Sequence, residues 1–123
     1  MEDVRLGMVE AVFADIVWDN APLSTRDLVE LCAKAPLNWK RTTTYTVLKK
    51  LCLRGIFAME KGLVTVLIPK DKFHTIQCEQ FVEKNFSGSL PAFIAAFTSG
   101  KSLSQKELQE VRQLLDTYEG TLK

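Results

Sequence analysis

Helix-stopping residues recur along this chain at short intervals, and they limit what it can fold into more than any other feature. Asp19-Asn20-Ala21-Pro22, Ala35-Pro36, Gly55, Lys61-Gly62, Pro69, Ser87-Gly88-Ser89 and Ser99-Gly100-Lys101-Ser102 divide the 123 residues into pieces of one helix or one strand each. Proline cannot continue a helix and glycine commonly caps one. No apolar run reaches the roughly 18 residues of a membrane span. Hydrophobic residues at 46% and charged residues at 25% exclude wholesale disorder and leave a small globular protein built from short elements.

Between Leu6 and Trp18, the residues Val9, Val12, Phe13, Ile16 and Val17 recur at helical spacing and form one apolar stripe. A second helix opens at Ser24-Thr25-Arg26-Asp27, which resembles a capping box, with Leu23 and Leu28 at the spacing of a hydrophobic staple. Leu28, Leu31, Cys32 and Ala35 are expected to face inward, and Pro36 ends the run. The third segment is rich in β-branched residues from Arg41 to Val47, so propensity alone permits a strand. The stripe of Thr44, Val47, Leu48 and Leu51 decides for helix, with Gly55 as its C-terminal cap. Residues 56–60 and 63–68 are β-rich runs joined by Lys61-Gly62, which predicts a hairpin stopped by Pro69. Three helices followed by a hairpin in some 65 residues is the layout of a winged helix-turn-helix. The remaining 54 residues predict three further helices: one from Lys70 to about Asn85, a short one capped by Ser89, and one opened by the capping box Ser104-Gln105-Lys106-Glu107.

The expected fold is thus mainly α with a small β-hairpin wing. A winged helix-turn-helix DNA-binding domain spans residues 1–69, and a C-terminal helical dimerisation arm spans residues 70–123. Three helices in so short an arm cannot bury all their own apolar side chains, and an exposed apolar patch usually marks an interface. Phe81, Leu90, Phe93, Ile94, Phe97, Leu108, Val111, Leu115 and Tyr118 are the candidate dimerisation residues. A two-fold homodimer is the common solution, and it spaces two recognition helices about one DNA turn apart.

Net charge is only +1, but its distribution is uneven. From Lys34 to Lys61, seven basic residues stand against the single acid Glu60, a net +6 in 28 residues, while the other 95 residues sum to −5. A basic face on an otherwise acidic chain fits a polyanion binder; it also fits an ordinary solvated helix face. With the apolar stripe of the third helix inward, Thr42, Thr46, Lys49 and Leu53 lie on its opposite face, and Tyr45 and Lys50 lie at the two sides. Threonine can bond a base or phosphate and place its methyl against thymine, and Tyr45 can reach a base edge or a phosphate. Arg41, Lys49, Lys50 and Lys61 can neutralise phosphates. Each threonine can instead bond its own helix backbone. Trp18 and Trp39 fit core anchors better than ligand platforms.

Nothing points to catalysis. His74 lacks the acidic and cysteine company of a metal or catalytic site, and Ser87-Gly88-Ser89 follows no strand, so it is no nucleophile elbow. No phosphate loop, dinucleotide fingerprint or H-E-x-x-H occurs. Cys32, Cys52 and Cys78 form neither a disulfide framework nor a C-x-x-C pair. The expectation is a non-enzyme with no cofactor and no metal. The acidic start Met1-Glu2-Asp3-Val4 lacks the order of a secretory signal, so a cytoplasmic location without membrane insertion is expected.

The motifs, taken in order, resemble the penicillinase-repressor family of bacterial winged-helix regulators. Leu6-x-x-x-Glu10 followed by Ile16-Val17-Trp18 is similar to its first helix, and Pro22-Leu23-Ser24-Thr25 with Leu28 to its second-helix entry. Thr43-x-x-Thr46-x-Leu48-x-Lys50-Leu51, ending in Gly55-Ile56, is similar to its recognition helix, which adds Thr43 to the candidate DNA-binding residues. The tail Asn85-Phe86-Ser87-Gly88-Ser89-Leu90, Ala95-Ala96-Phe97 and Leu103-Ser104-Gln105-Lys106-Glu107-Leu108 is the most specific part, since a generic winged helix would not carry it. There are departures. Thr42 stands where the family usually has a basic residue, Tyr45 where Arg or Gln is common, and Lys50 where Arg is usual.

The resemblance implies a dimeric transcriptional repressor on a palindromic operator. Family repressors that answer β-lactam sensors are cut at an Asn–Phe bond in the apolar tail helix. The matching bond here is Ala96–Phe97. The resemblance therefore makes that bond the candidate cleavage point, a membrane sensor protease a candidate partner, and a β-lactam or other cell-envelope signal the candidate inducer, within antibiotic resistance. The alternative is a winged helix used for protein–protein assembly without DNA.

Overall fold

The structure, a computed structural model, describes residues 6–119. In chain order the elements are α1 (Met8–Asn20), β1 (Leu23–Ser24), α2 (Thr25–Cys32), α3 (Arg41–Leu53), β2 (Phe57–Glu60), β3 (Leu63–Val66), α4 (Lys70–Phe86), α5 (Leu90–Ser99) and α6 (Gln105–Glu119). The chain divides into two compact units, Met1–Phe81 and Val82–Lys123.

The first unit is a winged helix-turn-helix. Its core is made by Phe13, Ala14 and Val17 of α1, Leu23 of β1, Leu28 and Cys32 of α2, Leu48 and Leu51 of α3, Ile56, Phe57 of β2, and Val64 of β3. Phe73 and Ile76 of α4 are buried in the same core, so this unit continues past Pro69. Trp18 supports that continuation. Its indole Nε1–H donates to the Ile68 carbonyl at 3.0 Å, and its ring lies 5.3 Å from that of Phe73 and 5.6 Å from that of Phe57. Lys70 Nζ, at the start of α4, lies 2.9 Å from Asp15 Oδ1 of α1.

Two inward positions are not as the stripes predict. Val9 is 52% exposed and Ala14 takes a core place, so the buried face of α1 is rotated toward Phe13, Ala14 and Val17. Ala35 is exposed because α2 ends at Cys32, which leaves Ala35 in the following loop. The Ser24 cap forms as expected: its Oγ accepts the Asp27 N–H at 3.0 Å.

The wing is larger than a hairpin. The sheet order is β1-β3-β2, all antiparallel, with Leu23 opposite Val64 and Phe57 opposite Val66. The Leu23-Ser24 pair, read only as a helix entry, also gives the wing its third strand. Glu60 and Leu63 are paired across a two-residue turn, Lys61-Gly62, with φ of 52° and 76°. Positive φ at both central residues is the type I′ turn, whose twist matches that of the strands it joins. The hairpin and the helix-turn-helix are tied together where the Thr25 N–H donates to the Gly62 carbonyl at 2.9 Å.

The second unit takes in the end of α4 with α5 and α6. Ser89 Oγ accepts the Ala92 N–H at 3.1 Å, with Pro91 in the first turn of α5, and Ser104 Oγ accepts the Glu107 N–H at 3.1 Å ahead of α6. Phe93 lies 5.6 Å from Phe86 and 6.1 Å from Phe97 between ring centroids. No residue of α5 is buried.

Candidate nucleic-acid interface

The turn between α2 and α3 places α3. The Trp39 N–H donates to the Cys32 carbonyl at 2.8 Å, and the Asn38 N–H to the Lys34 carbonyl at 2.9 Å. The Trp39 ring stacks on Phe13, centroids 5.6 Å apart, so it anchors the entry to α3 on the core. At the far end, the Ile56 N–H donates to the Leu51 carbonyl at 3.1 Å and the Gly55 N–H to the Cys52 carbonyl at 3.0 Å. That is a Schellman motif, with Gly55 at φ 80° as the left-handed residue it needs.

Along α3 the two faces separate sharply. Thr44, Leu48 and Leu51 are buried. The Thr44 hydroxyl donates to the Lys40 carbonyl at 3.3 Å, which satisfies the buried polar group. Arg41, Thr42, Thr43, Thr46, Lys49, Lys50 and Leu53 are exposed, and Tyr45 and Val47 are half-buried at the sides. Lys61 is exposed at the tip of the wing. The candidate DNA-binding residues Arg41, Thr42, Thr43, Thr46, Lys49 and Lys50 are thus all on the exposed surface of one helix, with Lys61 on the turn of the wing.

Their individual states differ. The Thr46 hydroxyl donates to the Thr42 carbonyl at 2.9 Å, so its lone pairs and methyl remain as its outward groups. Arg41 sits over the Tyr45 ring at 5.5 Å from guanidinium carbon to centroid. A hydrogen bond with Thr25, then the neighbouring Arg41, hold the Tyr45 phenol below its usual pKa. Tyr45 thus has Thr25 of α2 and Arg41 of its own helix as neighbours. Lys50 Nζ lies 2.7 Å from Glu10 Oε2 of α1. Sequence reading missed Glu10, because a carboxylate forty residues away carries no local sign that it meets α3.

Among the described residues, no group of three or more His, Cys, Asp or Glu side chains is placed to hold a metal ion, and no helix is long and apolar enough to cross a membrane. Burial raises the pKa of Cys32 and of Cys52.

A penicillinase repressor from Bacillus licheniformis is 22% identical to this chain over 112 residues, covering 88% of this chain and 87% of its own length. The crystal structure of a multiple antibiotic-resistance repressor from Listeria monocytogenes shows a looser likeness: TM-score 0.47, 14% identity, and coverage of 95% of this chain and 75% of that one. The sequence profile of the penicillinase repressor family matches residues 6–117. With that match running from just before α1 into the last turn of α6, the chain belongs to the penicillinase repressor family.

Proposed function

We propose that the chain is a transcriptional repressor that binds a palindromic DNA operator as a homodimer. The observation that carries this reading is the outer face of α3, where Arg41, Thr42, Thr43, Thr46 and Lys49 are exposed while Thr44, Leu48 and Leu51 anchor the helix to the core. A helix of this width fits the major groove, with its threonines toward base edges and its cations toward phosphates. Lys61 on the wing would add a flanking phosphate contact.

The second unit supports the dimer. Leu90, Ile94 and Phe97 of α5, and Val111, Leu115 and Tyr118 of α6, are exposed large apolar side chains, as is Phe81, the last residue of the first unit. Phe93 and Leu108 are half-buried beside them. So much apolar surface on so small a unit is what a second copy would cover. Relief by proteolysis belongs to the same reading. Cleavage at Ala96–Phe97 would split α5 and remove α6 from the interface. A membrane sensor protease answering a β-lactam or other cell-envelope signal would be the agent.

The test is an electrophoretic shift with DNA from upstream of the protein's own gene, repeated across salt concentrations. Lys49→Ala should weaken binding to all sequences and lower the salt slope by about 0.9, the share of one phosphate contact. Thr42→Ala or Thr46→Ala should change the preference between operator variants. Absence of binding to any duplex would leave the protein–protein assembly reading in its place.

A further inference from the structure

Lys50 is held differently from the other cations on the outer side of α3. Its Nζ lies 2.7 Å from Glu10 Oε2, and the other oxygen of that carboxylate, Oε1, accepts the Gly7 N–H at 2.9 Å. The carboxylate is fixed at both oxygens, and its side chain is 19% exposed against 58% for Lys50. The Lys50 ammonium first, then the Gly7 N–H, and further off Arg54, hold the Glu10 carboxyl below its ordinary range. It is therefore an anion throughout the neutral range.

A lysine strengthens binding to a polyanion by replacing condensed counterions on a phosphate. A lysine already paired with a carboxylate has less to gain, because it must give up one anion to reach another. The carboxylate left behind then repels the phosphates within a Debye length of about 8 Å. We propose that Glu10 acts as an internal stand-in for a DNA phosphate, withholding Lys50 from the operator backbone and so setting the affinity and salt response of the α3 face. This rests on the reading of α3 as the DNA-facing helix. Glu10 is on this account a tuning residue for binding strength, acting through Lys50 and touching no base.

The experiment measures the slope of log affinity against log salt for the full-length protein on its operator and on a random duplex. The variants are Lys49→Ala, Lys50→Ala, Glu10→Gln and the double variant Glu10→Gln with Lys50→Ala. Glutamine keeps an oxygen to accept the Gly7 N–H, and the helical circular dichroism signal checks each fold. Lys49→Ala should lower the slope by about 0.9, and Lys50→Ala by much less. Glu10→Gln should tighten binding on both duplexes and raise the slope by about 0.9, or about 3.5-fold extra loss between 50 and 200 mM salt. Adding Lys50→Ala should abolish that gain. An unchanged or lower slope in Glu10→Gln, or a full-unit drop in Lys50→Ala alone, overturns the proposal while leaving the DNA reading intact. A wild-type protein that binds no duplex overturns both.

Discussion

Replacing Phe97 with serine tests the coupling between the arm and operator binding most directly. Phe97 is 51% exposed on the chain, so about half of its surface is available to a partner. A fully buried phenylalanine covers roughly 200 Å², which leaves about 100 Å² for the interface. At about 25 cal/mol per Å² that is ~2.5 kcal/mol, and two-fold symmetry presents the residue twice, giving ~5 kcal/mol for the pair. The dimer dissociation constant should therefore rise by roughly three to four orders of magnitude. Serine is a cleaner choice than glutamate. Lys101 Nζ lies 5.4 Å from the Phe97 ring centroid and would offer an introduced carboxylate a partner, offsetting part of the intended cost. Sedimentation velocity across a concentration series reads the dissociation constant, and a shift assay reads operator affinity. Phe97→Ser should sediment as a monomer at micromolar concentration and lose operator affinity, because each half-site is then held alone and the gain from linked binding disappears. The winged-helix core, which contains no residue of α5, should keep its thermal transition. A dimer weakened less than tenfold, or a monomer with undiminished operator affinity, would refute the reasoning.

Two further outcomes follow from the first unit. Gly62→Ala places a side chain at φ 76° in the wing turn, where a Cβ would have space, with Thr25 Oγ1 4.0 Å away. The cost is then conformational, about 1–2 kcal/mol, read as a lower denaturation midpoint at unchanged m value. For acid stability, the Glu10 carboxyl is lowered in the fold from an ordinary value near 4.5, chiefly by Lys50. A depressed carboxylate adds stability that is present above the unfolded pKa and lost as pH falls through the folded one. Glu10→Gln should therefore be slightly less stable than wild type at pH 7, by no more than the ~1 kcal/mol of an exposed pair, and should converge with it as pH falls below about 4.5, as denaturant titrations between pH 2 and 7 would show.

Local signals carried most of the fold. Ser24, Ser89 and Ser104 are each read as caps from the residues just after them, and each accepts the N–H three positions on. Gly55 and Lys61-Gly62 work the same way, since a left-handed residue is required within a few positions of a helix end or a hairpin turn. Long-range partners were what the sequence did not show. A two-residue strand such as Leu23-Ser24 has no periodicity of its own and exists because β3 offers an edge. Val9 lies in the first turn of α1 and stays exposed, while Ala14 joins Phe13 and Val17 in the core, and a stripe on one helix cannot know its neighbours. The candidate interface divides along the same line. That Thr42, Thr46 and Lys49 share an outer face follows from a 3.6-residue period alone. That Lys50 is paired with Glu10 and Tyr45 meets Thr25 depends on where α1 and α2 lie, whereas the bond of Thr46 to its own helix is local and was open to sequence reading. Counting cations from Lys34 to Lys61 therefore overstates the charge offered to a polyanion, because Glu10, outside that stretch, lies against it. The charge that α3 presents is set by Glu10 of α1 as well as by the composition of α3 itself.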